Sequence, residues 1–276
     1  MTGAGPANES GILELGGYPH SGTPDYPGGQ VAWLRACLAF KTVTIVVGRR
    51  AGKTSLDGFV VYEEGGHATG QYTVGYVAQG HPQATEYYEL FLADWSAANM
   101  VVRKKNHGQD RYVMLRPFGL NDGVKVWFWS GEEGAHDQAR GKGLDRLIID
   151  EPGFVPESAL STFFPMLMDR SGKALIHGTA RPDGIGFGWF RREYYMGIDR
   201  PGSPRDRDRM SFSAPSECNP YIRRDSIMSD RRRFRSQLAP EVKTLDEMSE
   251  FDGVFVEDVG GVFSNLDQVF CLQPVE

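Results

Sequence analysis

A chain of 276 residues, 40% of them hydrophobic, can bury one large α/β core with a small appendage and is too short for two full lobes. Its net charge of −6 excludes binding to nucleic acid through overall charge, although basic residues are dense locally, at Arg103-Lys104-Lys105, at Arg205, Arg207 and Arg209, and from Arg223 to Arg235. Three distant cysteines, six scattered histidines and no long apolar run argue against a disulfide framework, a zinc site and a membrane-spanning helix, and fit a reduced, cytosolic setting.

Residues 1–29 are rich in Gly, Pro, Ser and Thr and read as a loose arm. Residues 30–40 read as a helix. A buried strand over 42–47, Thr-Val-Thr-Ile-Val-Val, then runs into Gly48-Arg49-Arg50-Ala51-Gly52-Lys53-Thr54-Ser55, and a helix opens at Thr54. A strand over 71–78 precedes a helix over 82–98. Residues 111–116 and 124–130 read as paired strands around the turn at 119–123. A strand over 144–149 ends in Asp150-Glu151, a helix covers 156–168, and a strand over 174–177 leads into Gly178-Thr179-Ala180. Residues 200–209 read as an exposed loop and 219–251 as helical. This alternation predicts an α/β fold of the phosphate-loop (RecA-like) kind, a mostly parallel sheet flanked by helices. The expected divisions are an arm to residue 29, a core over 30–200 and a lid or linker subdomain over 201–276.

A glycine-bounded turn that opens a helix aims backbone N–H groups and the helix N-terminus at one point, which suits phosphate. Lys53 adds a charge for the terminal phosphates, and the Thr54 hydroxyl can bind Mg²⁺. The loop is one residue shorter than the usual pattern, and Val47 stands where its first glycine is expected. Asp150 fits a metal ligand, and Glu151 beside it can take a proton from an attacking water. Phosphate loop, Asp150-Glu151 and Thr179 should converge at the carboxyl ends of the strands. Together they describe a site that hydrolyses ATP with Mg²⁺.

In order and spacing these pieces resemble the large terminase subunits of tailed bacteriophages, over nearly all of residues 24–265. The short loop is similar to that family's variant phosphate loop with an arginine after its first residue, which implies that Arg49, with Arg50, Ala51, Gly52 and Ser55, contacts nucleotide. Tyr26-Pro27 and Gln30 look like its adenine-recognition segment. Tyr76-Val77-Ala78-Gln79 is similar to the strand after the loop, with Gln79-Gly80 where Pro-Thr is common. Ala139-Arg140-Gly141 looks like the element whose arginine reaches a neighbouring subunit's ATP. His177-Gly178-Thr179-Ala180 is similar to the coupling motif. Cys218-Asn219-Pro220-Tyr221 and Glu250-Phe251-Asp252-Gly253-Val254-Phe255 look like later landmarks.

The resemblance implies a motor that moves double-stranded DNA into a capsid. It further implies a homo-oligomeric ring, contacts with a portal protein and a small terminase subunit, and residence in the host cytoplasm at the procapsid portal. The family usually continues into a nuclease domain, so no DNA cleavage is expected from this chain. Arg231–Arg235, on an expected helix, are candidates to meet DNA phosphates; a solvated face paired with local Asp and Glu is an equal reading of the same residues. The rival from the residues alone is a helicase-like, nucleic-acid-dependent ATPase without a packaging role; a small-molecule kinase would not need the Asp-Glu pair.

Overall fold

The structure is a computed structural model that describes residues 19–107, 110–116, 123–134, 139–237 and 247–255. A two-strand hairpin, β1 (Gly22–Thr23) and β2 (Tyr26–Pro27), leads into α1 (Gly29–Ala39). The arm expected to be loose is therefore ordered from Pro19 onward; residues 1–18 lie outside the described residues. β3 (Thr42–Val47), α2 (Lys53–His67), β4 (Tyr72–Ala78) and α3 (His81–Ala97) follow. Next come β5 (Val101–His107), β6 (Asp110–Leu115), β7 (Val124–Ser130) and β8 (Arg146–Asp150). The chain continues through α4 (Glu157–Phe163), β9 (Lys173–Gly178), α5 (Phe187–Met196), β10 (Arg209–Ala214) and α6 (Arg224–Gln237). A single π turn covers Met248–Asp252.

Eight strands form one sheet in the order β10-β3-β9-β8-β4-β7-β6-β5. The first six are mutually parallel, and β6 and β5 extend the sheet antiparallel. Strands buried on both faces need apolar residues on both, and the cores divide accordingly. Val43, Ile45, Val47, Tyr76, Phe128 and Ile148 pack with Trp33, Leu56, Phe91 and Trp95 from α1, α2 and α3. The alternate residues Val46, Val77, Trp129, Leu147, Ile149 and Ile176 pack with Phe163, Trp189 and Phe190 from α4 and α5.

Three expectations are corrected. The boundary at residue 200 falls inside the core, because β10 pairs in register with β3 from Arg209↔Thr42 to Ala214↔Val47. β10 reads Arg-Met-Ser-Phe-Ser-Ala, whose small polar residues suit a sheet edge but give little apolar signal. β5, Val-Val-Arg-Lys-Lys-Asn-His, was not expected as a strand for the same reason: it is the opposite edge, and its charges face solvent. The helix expected over 156–168 stops at Phe163 and continues as 3₁₀ turns over Phe164–Arg170, since Pro165 lacks the N–H that an α-helix would use. The turn at 119–123, apart from Gly123, and the far end of the expected lid lie outside the described residues.

At the amino ends of the strands one carboxylate gathers three neighbours. Glu64 of α2 accepts from Arg146 Nε at 2.7 Å and from Arg146 Nη2, from the Tyr72 hydroxyl at 2.6 Å and from Lys173 Nζ at 3.1 Å. These are the first residues of β8, β4 and β9. Arg146 is fully buried and also donates to the Cys37 carbonyl at 2.8 Å. Burial pushes the Glu64 carboxyl up, but Arg146 and its other donors outweigh burial and hold it below the usual range. Its stabilisation is therefore complete above the unfolded value of about 4.3 and is lost as pH falls through the lower folded value. Replacing Glu64→Gln leaves a buried guanidinium without its counter-charge and should lower the unfolding free energy by about 3–5 kcal/mol at neutral pH. Urea unfolding of both proteins checks this, and the gap between them should close in strong acid.

Candidate active site

The phosphate loop follows β3 at the carboxyl edge. Its turn is made by Arg50 at φ 62 and Gly52 at φ 95, both left-handed, and α2 begins at Lys53. Two residues tie the loop's carbonyls back. Gln30 donates through Nε2 to the Gly52 carbonyl at 2.6 Å, and its Oε1 accepts from the His20 N–H at 3.0 Å. His20 accepts through Nδ1 from Gly22 N–H and so donates through Nε2 to the Ala51 carbonyl at 3.1 Å. Burial pulls its pKa down, which favours this neutral tautomer. With both carbonyls engaged, the first N–H groups of α2, which have no acceptor within the helix, form the polar face of the turn.

Lys53 and the acids meet as the sequence suggested. Lys53 Nζ lies 3.1 Å from Glu151 Oε1. Burial disfavours its cation, but Glu151 and Asp150 outweigh burial and raise its pKa. The other Glu151 oxygen, Oε2, accepts from both the N–H and the hydroxyl of Thr179, each at 3.0 Å. The residue singled out for coupling thus holds the residue singled out as the base. Glu151 is left-handed, at φ 48 and ψ 58. Gly178 sits against it: a Cβ there would lie 2.7 Å from Pro152 Cδ and 3.0 Å from Glu151 Cα. Ala180 is buried.

Asp150 is buried at the end of β8 and held by Tyr87, which sequence reasoning passed over, and by His177, which it placed only in the coupling segment. The Tyr87 hydroxyl from α3 bonds both Asp150 and Thr54. His177 of β9 is fully buried between two acids, with Nε2 2.6 Å from Asp57 Oδ1 and Nδ1 3.1 Å from Asp150 Oδ1. Burial works against the His177 cation, but Asp57 and Asp150 outweigh it and raise its pKa to about 10. Burial also pushes Asp57 up to about 6, whereas His177 and Lys53 overcome burial at Asp150 and keep its carboxyl below the usual range. Asp57 follows Lys53 by one helical turn, which was a signal available in the sequence. His20 carried none, since a lone histidine in an arm reads as surface.

The loop arginines are directed outward. Arg49 pairs through Nε with Glu250, whose carboxylate is 2% exposed. Arg50 is exposed and lies 3.5 Å from Asp230. Its carbonyl accepts from Asn219 Nδ2 at 2.8 Å. Gly48 is buried, and its N–H donates to the Ala214 carbonyl at 3.0 Å. Ser55 is exposed on α2. The residues expected to read adenine are separated. Gln30 is engaged at both polar ends, through Nε2 with the Gly52 carbonyl of the loop and through Oε1 with the His20 N–H, the geometry of a loop brace. Tyr26 is 43% exposed and lines a cavity of about 400 Å³ with Asn219, Pro220 and Ile222.

Arg140 is exposed beside the buried Ala139, in the connection from β7 to β8. Asp145, five residues on, is engaged by Arg170 at 2.9 Å and by the Thr73 N–H at 2.7 Å. Of the two readings of the basic helix, pairing with acids holds for Arg231 and Arg235. Arg231 pairs with Glu217, Glu247 and Asp252, and Arg235 pairs with Glu247, so both serve the fold. Arg103 and Lys104 on β5, by contrast, are exposed with no acidic partner among the described residues.

Fold and site define a phosphate-loop, RecA-like class: a mostly parallel sheet whose carboxyl edge carries the loop, the strand-end acids and Thr179. The proteins this chain is similar to are those its motifs resembled. It is 30% identical over 146 residues to the large terminase subunit of Thermus phage G20c, a match covering 49% of this chain and 28% of that protein. Its fold is similar to the large terminase ATPase domain of Thermus phage P74-26, with TM-score 0.62 and 22% identity over 88% of this chain and 96% of that one. It is also similar to the large terminase of a thermophilic bacteriophage in complex with ADP, with TM-score 0.61 and 14% identity over 83% of this chain and 53% of that one. The chain thus matches well under a third of the curated relative's length. No family model matches the sequence.

The contact of Gly178 with Glu151 and Pro152 is testable without ligand. Gly178→Ala should lower stability by about 1–3 kcal/mol through overpacking against backbone. Gly188→Ala on α5, where a Cβ meets nothing within 4 Å, should be neutral or stabilising. Thermal melts of the two variants beside the parent make the comparison.

Proposed function

We propose that this chain is the ATP-hydrolysing motor portion of a large terminase subunit, coupling hydrolysis to the movement of double-stranded DNA into a capsid. One observation carries the reading: Glu151 is held by Lys53 of the phosphate loop on one side and by Thr179 of the coupling segment on the other. Similarity to a large terminase ATPase domain, and to a large terminase solved with ADP, supports it.

Thr54 and Asp150 fit a Mg²⁺ ion. Both meet the Tyr87 hydroxyl, and His177 and Lys53 keep the Asp150 carboxyl ionised. Thr54 and Asp150 would hold the ion, which would supply positive charge against the terminal phosphates. The γ-phosphate draws the Lys53 ammonium off Glu151. The freed Oε1 takes a proton from the water attacking phosphorus, and the bond to the ADP oxygen breaks. A protonated Glu151 is a weaker acceptor for Thr179, so the step loosens β9's carboxyl end from β8's. The cavity beside Tyr26 is the space for the base.

Lys53→Ala should abolish tight ATP binding. Glu151→Gln should retain binding and lose at least about a hundredfold in hydrolysis. Isothermal titration and phosphate release measure the two effects, and equal turnover of Glu151→Gln and the parent would remove the base from the mechanism.

DNA contacts in this reading are to phosphates, without sequence preference, and weaken with salt. Arg103 and Lys104, exposed on the β5 edge without an acidic partner among the described residues, are the candidates. Arg103→Gln with Lys104→Gln should flatten the salt dependence of duplex binding, the slope falling by about one for each phosphate no longer neutralised. Plasmid incubated with the protein and Mg²⁺ should stay uncut. Arg140 serves the ATP of the next subunit in a head-to-tail ring. Arg140→Ala should bind ATP normally and be inactive alone, yet recover hydrolysis when co-assembled with Glu151→Gln subunits. The portal protein, the small terminase subunit and the host cytoplasm belong to the same reading.

A further inference from the structure

The turn that carries Arg140 is pinned on both sides. Ala139, directly before it, is fully buried in the same cluster as Trp129 and Phe163. Lys142, just after it, is half-buried with its ammonium over two indoles, 4.9 Å from the Trp127 ring centre and 5.6 Å from that of Trp129. Leu144 is again buried, and its N–H donates to the Met166 carbonyl at 2.8 Å. Between these anchors Arg140 and Gly141 form the exposed tip. Gly141 is left-handed, at φ 79, and a Cβ there would meet nothing within 4 Å, so no packing at Gly141 fixes the tip.

The aromatic seat follows from strand parity. Lys125, Trp127 and Trp129 alternate with Val124, Val126 and Phe128 along β7, so they share the sheet face turned away from α3. Helix α4 covers one end of that row, where Trp129 stacks on Phe163 with ring centres 6.1 Å apart. Trp127 lies beyond it, stacked on Trp129 at 6.0 Å, with Tyr112 of β6 edge-on at 5.1 Å. Lys125 Nζ lies 4.0 Å from the Trp127 ring centre and 4.3 Å from that of Tyr112. An ammonium over an indole face is attracted by the negative face of the ring, and more strongly once part of its water is gone. Lys125 belongs to the strand itself. Lys142 belongs to the connection, so its seat ties the connection to the sheet.

We propose that Lys142 is the positioning residue of Arg140: seated on Trp127 and Trp129, it fixes the exposed turn so that the Arg140 guanidinium meets the phosphates of the next subunit's ATP. The proposal rests on the reading of Arg140 given above and adds what aims it. An arginine that stabilises charge in another subunit's site works only at a fixed distance and angle, and a two-residue tip without packing at Gly141 takes its orientation from its anchors.

The test uses the whole chain and two readouts, with melting curves to confirm folding. On the chain alone, the initial rate of trypsin cutting after Arg140, followed by mass spectrometry, reports how firmly the turn is held. Lys142→Met keeps the stem and removes the charge, so it should speed that cut about tenfold. Lys142→Arg, whose guanidinium also stacks on indole, should stay near the parent. Parent-like cutting in Lys142→Met, or an equal gain in both variants, overturns the seat. The second readout is hydrolysis by Arg140→Ala subunits co-assembled with Glu151→Gln subunits. Lys142→Met added to the Glu151→Gln subunit, which supplies Arg140, should lower the recovered hydrolysis about tenfold. Added to the Arg140→Ala subunit, which has no arginine to place, it should cost far less. A merely structural role predicts the same loss from either subunit. No recovery in the starting mixture, in an assembly shown to contain both subunits, overturns the reading of Arg140 and the proposal with it. Recovery that Lys142→Met lowers equally from either subunit, or not at all, overturns the role of Lys142 alone.

Discussion

The carboxylate of Glu64 sets the frame in which the rest of the molecule works. It lies on α2, the helix that the phosphate loop opens, and it binds the first residues of β4, β8 and β9. Parallel strands have no hairpins to fix their relative heights, so their register must come from elsewhere. Here a single buried acid fixes one end of three neighbours, and the other end is where Ala78, Asp150 and Gly178 emerge. Because α2 carries both Glu64 and Lys53, the helix that aligns the strands also carries the phosphate lysine.

A second cluster of charge lies directly beneath the site. Asp57, His177 and Asp150 come from α2, β9 and β8 and are almost wholly removed from water. Burying three ionisable groups is costly unless each has a partner of opposite sign. The arrangement meets that condition with an imidazolium between two carboxylates and Lys53 beyond. It makes Asp150 part of the core packing as well as of the site, which restricts its carboxyl to one orientation.

The sheet was legible in the sequence where strands are apolar on both faces. Val43 to Val47 and Leu147 to Ile149 leave no other reading, and they carry the phosphate loop and the acids. The edges were not legible. β5 and β10 have one neighbour each and tolerate Arg, Lys and Ser, so their composition resembles that of loops. The chemistry of the site was legible for the same local reason: Lys53, Thr54, Asp150 and Glu151 stand in short runs next to buried strands. What held those residues was not, because His20, Gln30, Tyr87, His177 and Glu250 act across 10 to 201 positions of sequence. Gln30 was singled out for a base, and its bond to the turn was not foreseen. The α6 arginines were read as a surface because their acids, Glu217, Glu247 and Asp252, lie elsewhere in the chain.

The backbone of Glu151 has a geometric consequence. Successive side chains on a strand point to opposite faces, so two adjacent acids at a strand end should serve opposite sides of the sheet. Asp150 continues β8 and turns toward α2 and α3, where His177 and Tyr87 meet it. Glu151 breaks the alternation by adopting the left-handed conformation, at a strain of about 1–2 kcal/mol for a residue with a Cβ. That single reversal of hand brings a second carboxylate back toward Lys53. Parity along the chain would have divided the pair between two surfaces; one left-handed residue keeps both acids on the same reacting centre.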